Sequence, residues 1–352
     1  MNKMKSSNLV NKEKEEMIQQ KLQSLCKNIK SNYILVKIFN NLDKKRKLNI
    51  IKYNKKVQDR LDISVIDFQE FSSIELKIKL AKDKYGTFIN IKKEEQNYYH
   101  IYFNYNKEEI KKTSINKGET IEVIKILIDY QIQSLKELFF CCDSIESIYY
   151  KNIYRKNIND MSGMFSNCSS LKELNLDNFN TSNVKDMSFM FSGCSSLKEL
   201  NVNNFKTTNT TSMYAMFNKC SLLKELNVNN FNTTNVINMS AMFNKCSSLT
   251  ELNVNNFNTT NVINMSAMFS DCSSLKELNV NNFNTINLKY VIGMFHKCSS
   301  LKELNLNNFS KSNITDMDFM FSECSNELIT QIKTQYKNIK DEAFKKIDCL
   351  IY

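Results

Sequence analysis

The chain of 352 residues contains no proline, no tryptophan, five glycines, two histidines and three arginines. Each scarcity removes a class of function. Five scattered glycines cannot build GxxxxGKS/T or GxGxxG, so no glycine-rich phosphate cradle is expected. His100 and His296 form no HExxH pair, and zinc sites want close CxxC pairs with histidine support. Nucleophilic cysteine chemistry needs a histidine beside one special thiol. No window reaches 18 uninterrupted apolar residues, so no membrane span is expected. The opening residues MNKMKSSNLVNKEKEEMIQQ hold no apolar leader core, and neither end carries a lipidation motif. The expected compartment is the cytoplasm, where thiols stay reduced. A non-enzyme without cofactor or metal is expected.

Lysine dominates what is present. Forty-five lysines accompany many Asn and Ile, while residues with GC-rich codons are scarce. We read this excess as an AT-rich coding sequence, not as disorder. Hydrophobic residues make up 42%, enough for a core. The net charge of +11 is uneven: residues 1–134 carry 27 Lys+Arg against 17 Asp+Glu, and residues 135–352 carry 21 against 20. A basic half invites a nucleic-acid reading. Its only arginines are Arg46 and Arg60, however, and arginine is the residue that reads phosphate bidentately. No specific nucleic acid is expected.

Cysteine supplies the period. Cys142, Cys168, Cys194, Cys220, Cys246, Cys272, Cys298 and Cys324 follow one another at 26 residues. Around Cys168 the frame reads Leu171, Leu174, Leu176, Phe179, Val184, Met187, Met190 and Phe191. LKELNL alternates as a half-buried strand does. NVKDMSFMFSGC places apolar residues on one face of two to three helical turns, and Ser182 or Asn183 could cap them. One short strand and one short helix per 26 residues is a leucine-rich-repeat unit, and stacking about seven of them buries a continuous core. Each cysteine then sits inward as a small hydrophobe. Disulfides between neighbouring repeats stay open as an alternative.

The run NVINMSAMFSDCSSLKELNVNNFNT resembles the BspA-like leucine-rich-repeat family, and the likeness covers residues 135–324. That family includes bacterial surface proteins, mycoplasma-type lipoproteins and protist proteins. The resemblance implies a right-handed, non-catalytic solenoid used for adhesion or protein binding. The expected fold class is therefore an α/β repeat: a leucine-rich-repeat solenoid of about seven 26-residue strand-plus-helix repeats, an α+β N-terminal cap region and a C-terminal helical cap. The expected domains are 1–70 (helical), 71–134 (small β-rich unit), 135–324 (solenoid) and 325–352 (helical cap).

A solenoid's concave strand face is a common binding surface. There the outward residues form columns: Glu199, Glu225, Glu251 and Glu277, then Asn201, Asn227, Asn253 and Asn279, then Asn203, Asn229, Asn255 and Asn281. These twelve are the candidate contacts for a protein partner; a solvated face that records only duplication is the alternative. The opposite side is expected to show short polar loops.

Residues 32–61 add a second candidate. Ile34, Leu35, Ile38, Phe39 and Leu42, then a charged turn and further apolar residues, resemble an F-box without its leading proline or its tryptophan. The resemblance implies docking of a Skp-type adaptor subunit of a ubiquitin ligase and a substrate-receptor role. A plain helical cap is the alternative, and export as a surface adhesin by another route is a third.

Overall fold

The computed structural model describes residues 21–346 apart from 23, 27, 52, 53, 64–71, 154, 156, 178, 310–313 and 338. The last part of the expected helical cap, residues 347–352, lies outside the described residues. The chain divides into two compact units, Met1–Ser73 and Ile74–Tyr352.

The first unit holds α1 (Asn32–Asn40), α2 (Lys44–Ile51) and α3 (Lys55–Arg60). Side chains start all three: Ser31 Oγ accepts the Ile34 N–H at 3.4 Å, Asp43 Oδ1 accepts the Arg46 N–H at 2.9 Å, and Asn54 Oδ1 accepts the Val57 N–H at 3.2 Å. Cys26, Leu35, Ile50 and Val57 form its small core.

The second unit begins with β1 (Ile74–Leu80), β2 (Gly86–Thr87), β3 (Tyr99–Phe103), β4 (Ser114–Ile115) and β5 (Val123–Ile128). Alternation drives these strands: Ile74, Leu76 and Ile78 of β1 and Ile124, Ile126 and Ile128 of β5 are all fully buried. The first repeat contributes β6 (Ile145–Asn152) and the second β7 (Glu173–Asn175). The sheet order is β3-β5-β1-β6-β7, with β2 and β4 a separate pair. β6 pairs antiparallel with β1 on one side and parallel with β7 on the other. One sheet thus runs from the β-rich segment into the repeats.

Each repeat forms one rung, and rungs stack at the 26-residue interval. The expected helix in the second half of the repeat is absent from the described residues of 135–324. A helix would close its N–H groups onto carbonyls four residues back. Here alternate N–H groups leave the rung instead: Met187, Phe189, Phe191 and Gly193 donate to the carbonyls of Ser212, Tyr214, Met216 and Asn218. Between them run tight turns such as Met190 N–H to Met187 O. Two left-handed residues per rung break any helix, for example Phe189 (φ 57°) and Gly193 (φ 74°), or Ala241 (φ 53°) and Lys245 (φ 59°). Parallel bridges run unbroken down this side, from Ser134 through Asp160, Asp186, Ser212, Asn238, Asn264 and Tyr290 to Asp316. Spacings of three and four residues serve stacked turns as well as helices, which is why the sequence pattern misleads.

The strand half differs too. Beyond β7, among the described residues, the parallel bridges on this side join only Glu225, Glu251 and Glu277. Asparagine is the reason: Asn201 Oδ1 accepts the Asn203 N–H at 3.1 Å, an Asx turn that cuts the strand short.

The frame residues are buried as expected. Met187, Met190, Phe191, Cys194 and Leu197 are each fully buried. Phe139, Phe165, Phe191, Phe217, Phe243, Phe269, Phe295 and Phe321 form one column, with neighbouring ring centroids 5.6 to 5.8 Å apart. Full burial of each contributes roughly 1.5–3 kcal/mol. The ten described cysteines are free. From Cys168 to Cys324 each repeat thiol donates to a phenylalanine carbonyl one rung back, at 2.9 to 3.2 Å.

Side chains meet the two ends of the stack. At the first rung, Asn90 supplies both donors: its N–H reaches Leu138 O at 2.8 Å and its Nδ2 reaches Phe140 O at 2.8 Å. At the last rung, Phe319 and Phe321 donate to Glu342 and Ala343, and Phe344 continues the ring column at 5.6 Å. α4 (Asn326–Gln335) buries Leu328 and Ile332. Its Gln331 amide takes both the N–H and the C=O of Leu304 at 3.1 Å, as a following strand would.

Candidate functional site

The rungs fix what reaches solvent on the strand side. Glu199, Glu225, Glu251 and Glu277 are exposed, and none forms an ion pair with a described residue. The next column is committed to the rung itself: Oδ1 of Asn201, Asn227, Asn253 and Asn279 accepts the N–H two residues on, at 3.0 to 3.1 Å. Asn203, Asn229, Asn255 and Asn281 serve through the backbone. Their carbonyls accept the side-chain amides of Asn230, Asn256, Asn282 and Asn308 from the next rung, at 2.6 to 3.1 Å. This amide ladder escaped the sequence reading, although the second Asn of each NN pair is its visible signal. Of the three expected columns, one shows no internal hydrogen-bonding role.

The face is not flat. At one end Tyr149, Lys172, Glu173, Lys198 and Glu199 border a groove of about 570 Å³. At the other, a groove of about 1130 Å³ runs over Glu251, Glu277 and Glu303, with Asn253 and Asn279 beside them and Gln331, Gln335 and Tyr336 as its wall. The twelve candidates therefore line one surface with two hollows.

The opposite side departs from the polar loops expected of it. Ile237 and Ile263 stand exposed above the bridge column, in a groove of about 630 Å³ edged by Asn209, Asn235, Asn261 and Asn287. Both isoleucines follow an Asn-Val pair, NVI, where the first repeats write NVK or NTT.

Chemistry inside the stack is quiet. Burial pushes the Cys246 and Cys324 thiols up to about 12 and raises those of Cys194, Cys220, Cys272 and Cys298 well above the usual thiol range. Such thiols stay protonated and unreactive. Among the described residues no three His, Cys, Asp or Glu side chains gather as a metal would need. No helix among them is long and apolar enough to cross a membrane.

In the first unit the five expected adaptor contacts on or beside α1 divide. Leu35 and Phe39 are buried, Ile38 and Leu42 are half-buried, and Ile34 is exposed. Tyr33 and Val36 are exposed beside Ile34.

Comparison with known proteins bears on the repeats. The family model described as Mycoplasma protein of unknown function, DUF285, matches residues 133–227 and 211–334. No curated protein matches the chain. Among solved structures, a leucine-rich repeat protein from Bacteroides ovatus is similar at 20% identity and a TM-score of 0.32, over 56% of this chain and 46% of that one. This chain thus spans about half the length of that relative.

Proposed function

The chain belongs to the DUF285 family of Mycoplasma proteins of unknown function, and from that premise we propose that it is a non-catalytic scaffold that binds a protein partner through the strand-side face of a capped leucine-rich-repeat solenoid. The observation that carries this reading is the glutamate column. Glu199, Glu225, Glu251 and Glu277 recur on successive rungs, stay exposed and form no ion pair with a described residue. Like charges set side by side on neighbouring strands destabilise a fold. The two asparagine columns beside it are tied up within a rung or between rungs, so this column is the one that an outside partner best accounts for. A surface that offers the same group at each rung also engages a partner several times over.

The test is charge reversal at Glu225, Glu251 and Glu277 by Lys in the full chain. Capture of the native partner from the source cells should be lost while the circular dichroism spectrum and melting curve hold. Unimpaired capture by this variant, with loss on Ile237→Lys and Ile263→Lys instead, would move the binding surface to the other side. A second reading, a ligase substrate receptor, is favoured by the apolar patch of Tyr33, Ile34 and Val36 on α1. Ile34→Asp with Val36→Asp should then abolish binding of a Skp-type adaptor; equal binding by wild type and variant would dismiss it.

A further inference from the structure

We propose that the groove at the α4 end of this face takes an extended, lysine- or arginine-bearing stretch of polypeptide. The inference rests on the protein-binding reading above and names the chemistry of the partner. Along most of the face each glutamate follows a lysine, as in Lys198–Glu199, Lys224–Glu225 and Lys276–Glu277. Over the groove this compensation fails twice. Thr250 stands where the other rungs have lysine. Lys302 is drawn away to Glu327 of α4, with Nζ 3.6 Å from Oε2. The groove lining is left with Glu251, Glu277 and Glu303 against Lys276 alone, three carboxylates facing one ammonium. Glu251 and Glu277 belong to rungs joined by a parallel bridge at these very residues, so the carboxylates stand in file along the groove.

Two further features select a polypeptide. Asn253 and Asn279 have spent Oδ1 on their own rungs, which leaves their amide N–H groups as donors toward the groove. Donors of that kind suit main-chain carbonyls, while the carboxylates suit ammonium or guanidinium groups. At about 1130 Å³ the groove exceeds the roughly 300–1,000 Å³ of small-molecule pockets and suits a polymer segment. An acidic lining repels phosphate, which excludes nucleic acid here. The chain as a whole carries +11, so attraction of a cationic peptide has to be local.

The probe is a fluorescein-labelled decamer of alternating Lys and Ala, with an alternating Glu and Ala decamer as its counterpart. Binding to the full-length protein is followed by fluorescence anisotropy at about 20 mM and about 150 mM salt, between which screening strengthens. The basic decamer should bind, and the acidic one should not. Glu251→Gln, Glu277→Gln and Glu303→Gln together should weaken the basic decamer about tenfold, the sum of three screened contacts. Thr250→Lys alone should weaken it about threefold. Replacement of the exposed Glu94, Glu108 and Glu122 by Gln makes the same change in net charge and should leave affinity within about twofold. Absence of basic-decamer binding, equal binding of the acidic decamer, or equal losses in the two triple variants would overturn the inference. The capture experiment with charge-reversed Glu225, Glu251 and Glu277 uses no decamer, so the face can stand as a binding surface even where the basic-partner chemistry falls.

Discussion

Substitution of Cys246 tests the physical account of the repeat most directly. The side chain is fully buried, and Sγ donates to Phe217 O at 3.1 Å. Cys246→Ala removes one sulfur. The lost transfer term is about one methylene's worth, ~0.8 kcal/mol. The void of roughly 20 Å³ adds ~0.5 kcal/mol, and the weak S–H bond a few tenths more, for about 1.5 kcal/mol. Cys246→Asp behaves differently. Its ionised carboxylate would face a carbonyl oxygen in a dry site, which costs several kcal/mol and drives the group to take up a proton instead. Protonated, it can donate to Phe217 O as the thiol does. The folded-state pKa of the new carboxyl is therefore raised above its unfolded value, so the folded state holds the proton to higher pH. Stability of that variant should be greatest at low pH and should fall as pH rises from about 4, by at most ~1.4 kcal/mol per unit. Urea denaturation of wild type and both variants at pH 5 and pH 8, followed by circular dichroism, reads these differences. A Cys246→Asp protein as stable as Cys246→Ala, or one indifferent to pH, would refute the buried-brick account. Thiol labelling gives an independent check: Cys141 is the exposed cysteine among those described, and the buried repeat thiols should react only after unfolding.

The ends of the stack offer a second prediction. Gln331→Ala should cost about 1–3 kcal/mol by stranding the part-buried N–H and C=O of Leu304, Asn90→Ala about 0.5–1.5 kcal/mol because water can replace its exposed amide, and deletion of 327–352 should give concentration-dependent light scattering; a truncated protein that stays monomeric with unchanged melting would contradict the closing role of this segment. A third concerns His296, which lies buried in the column that holds Asn218, Asn244 and Ser270 one rung after another, with Nδ1 unpartnered. Burial lowers its pKa, so the unfolded chain takes up a proton first, and stability that is fully present above about pH 6.5 should be lost as pH falls below it. His296→Asn, which matches Asn218 and Asn244 of the same column, should be less sensitive between pH 7 and pH 5.5 in thermal melts; identical acid sensitivity in both proteins would remove the histidine from the account.

The period of the stack and its inward residues could be read in the sequence because both follow from recurrence. Every apolar position of the frame from Leu171 to Cys194 except the half-buried Leu174 proves buried. The conformation between those positions could not be read. Met187, Met190, Phe191 and Cys194 at intervals of three, one and three suit a helix face and a chain of turns alike. The deciding factor is where alternate N–H groups find acceptors, and the acceptors lie 25 residues away in the next rung. Scarce glycine also misleads. Left-handed positions usually advertise themselves as glycine, yet here Phe189, Ala215, Ala241 and Ala267 adopt them, with Gly163 and Gly293 as the only glycines of that column. Inter-rung hydrogen bonds over-determine the backbone strongly enough to offset a cost of about 1–2 kcal/mol per residue.

The same logic bears on how a binding site is to be found in such a chain. Recurrence at 26 residues marks a contact between one rung and the next. The cysteines reach phenylalanine carbonyls, the threonines reach carbonyls such as Lys206 and Asn232, and the second asparagines reach their neighbours' backbones. A residue that repeats for such a reason carries no information about a partner, which is why much of the motif is architecture. Information about a partner lies where the pattern is interrupted or where a repeated group has nothing to hold. Thr250 in a lysine column, Lys302 turned toward α4 and the unpaired glutamates meet those conditions in one groove. Ile237 and Ile263 meet the first of them in another groove, where the file begins with Lys185 and Thr211. Thr250 Oγ1 reaches Lys224 O only at 3.5 Å, a weak tie between rungs, and the rungs on either side keep the exposed Lys224 and Lys276. The departures therefore locate the surface on which the repeats have ceased to be interchangeable.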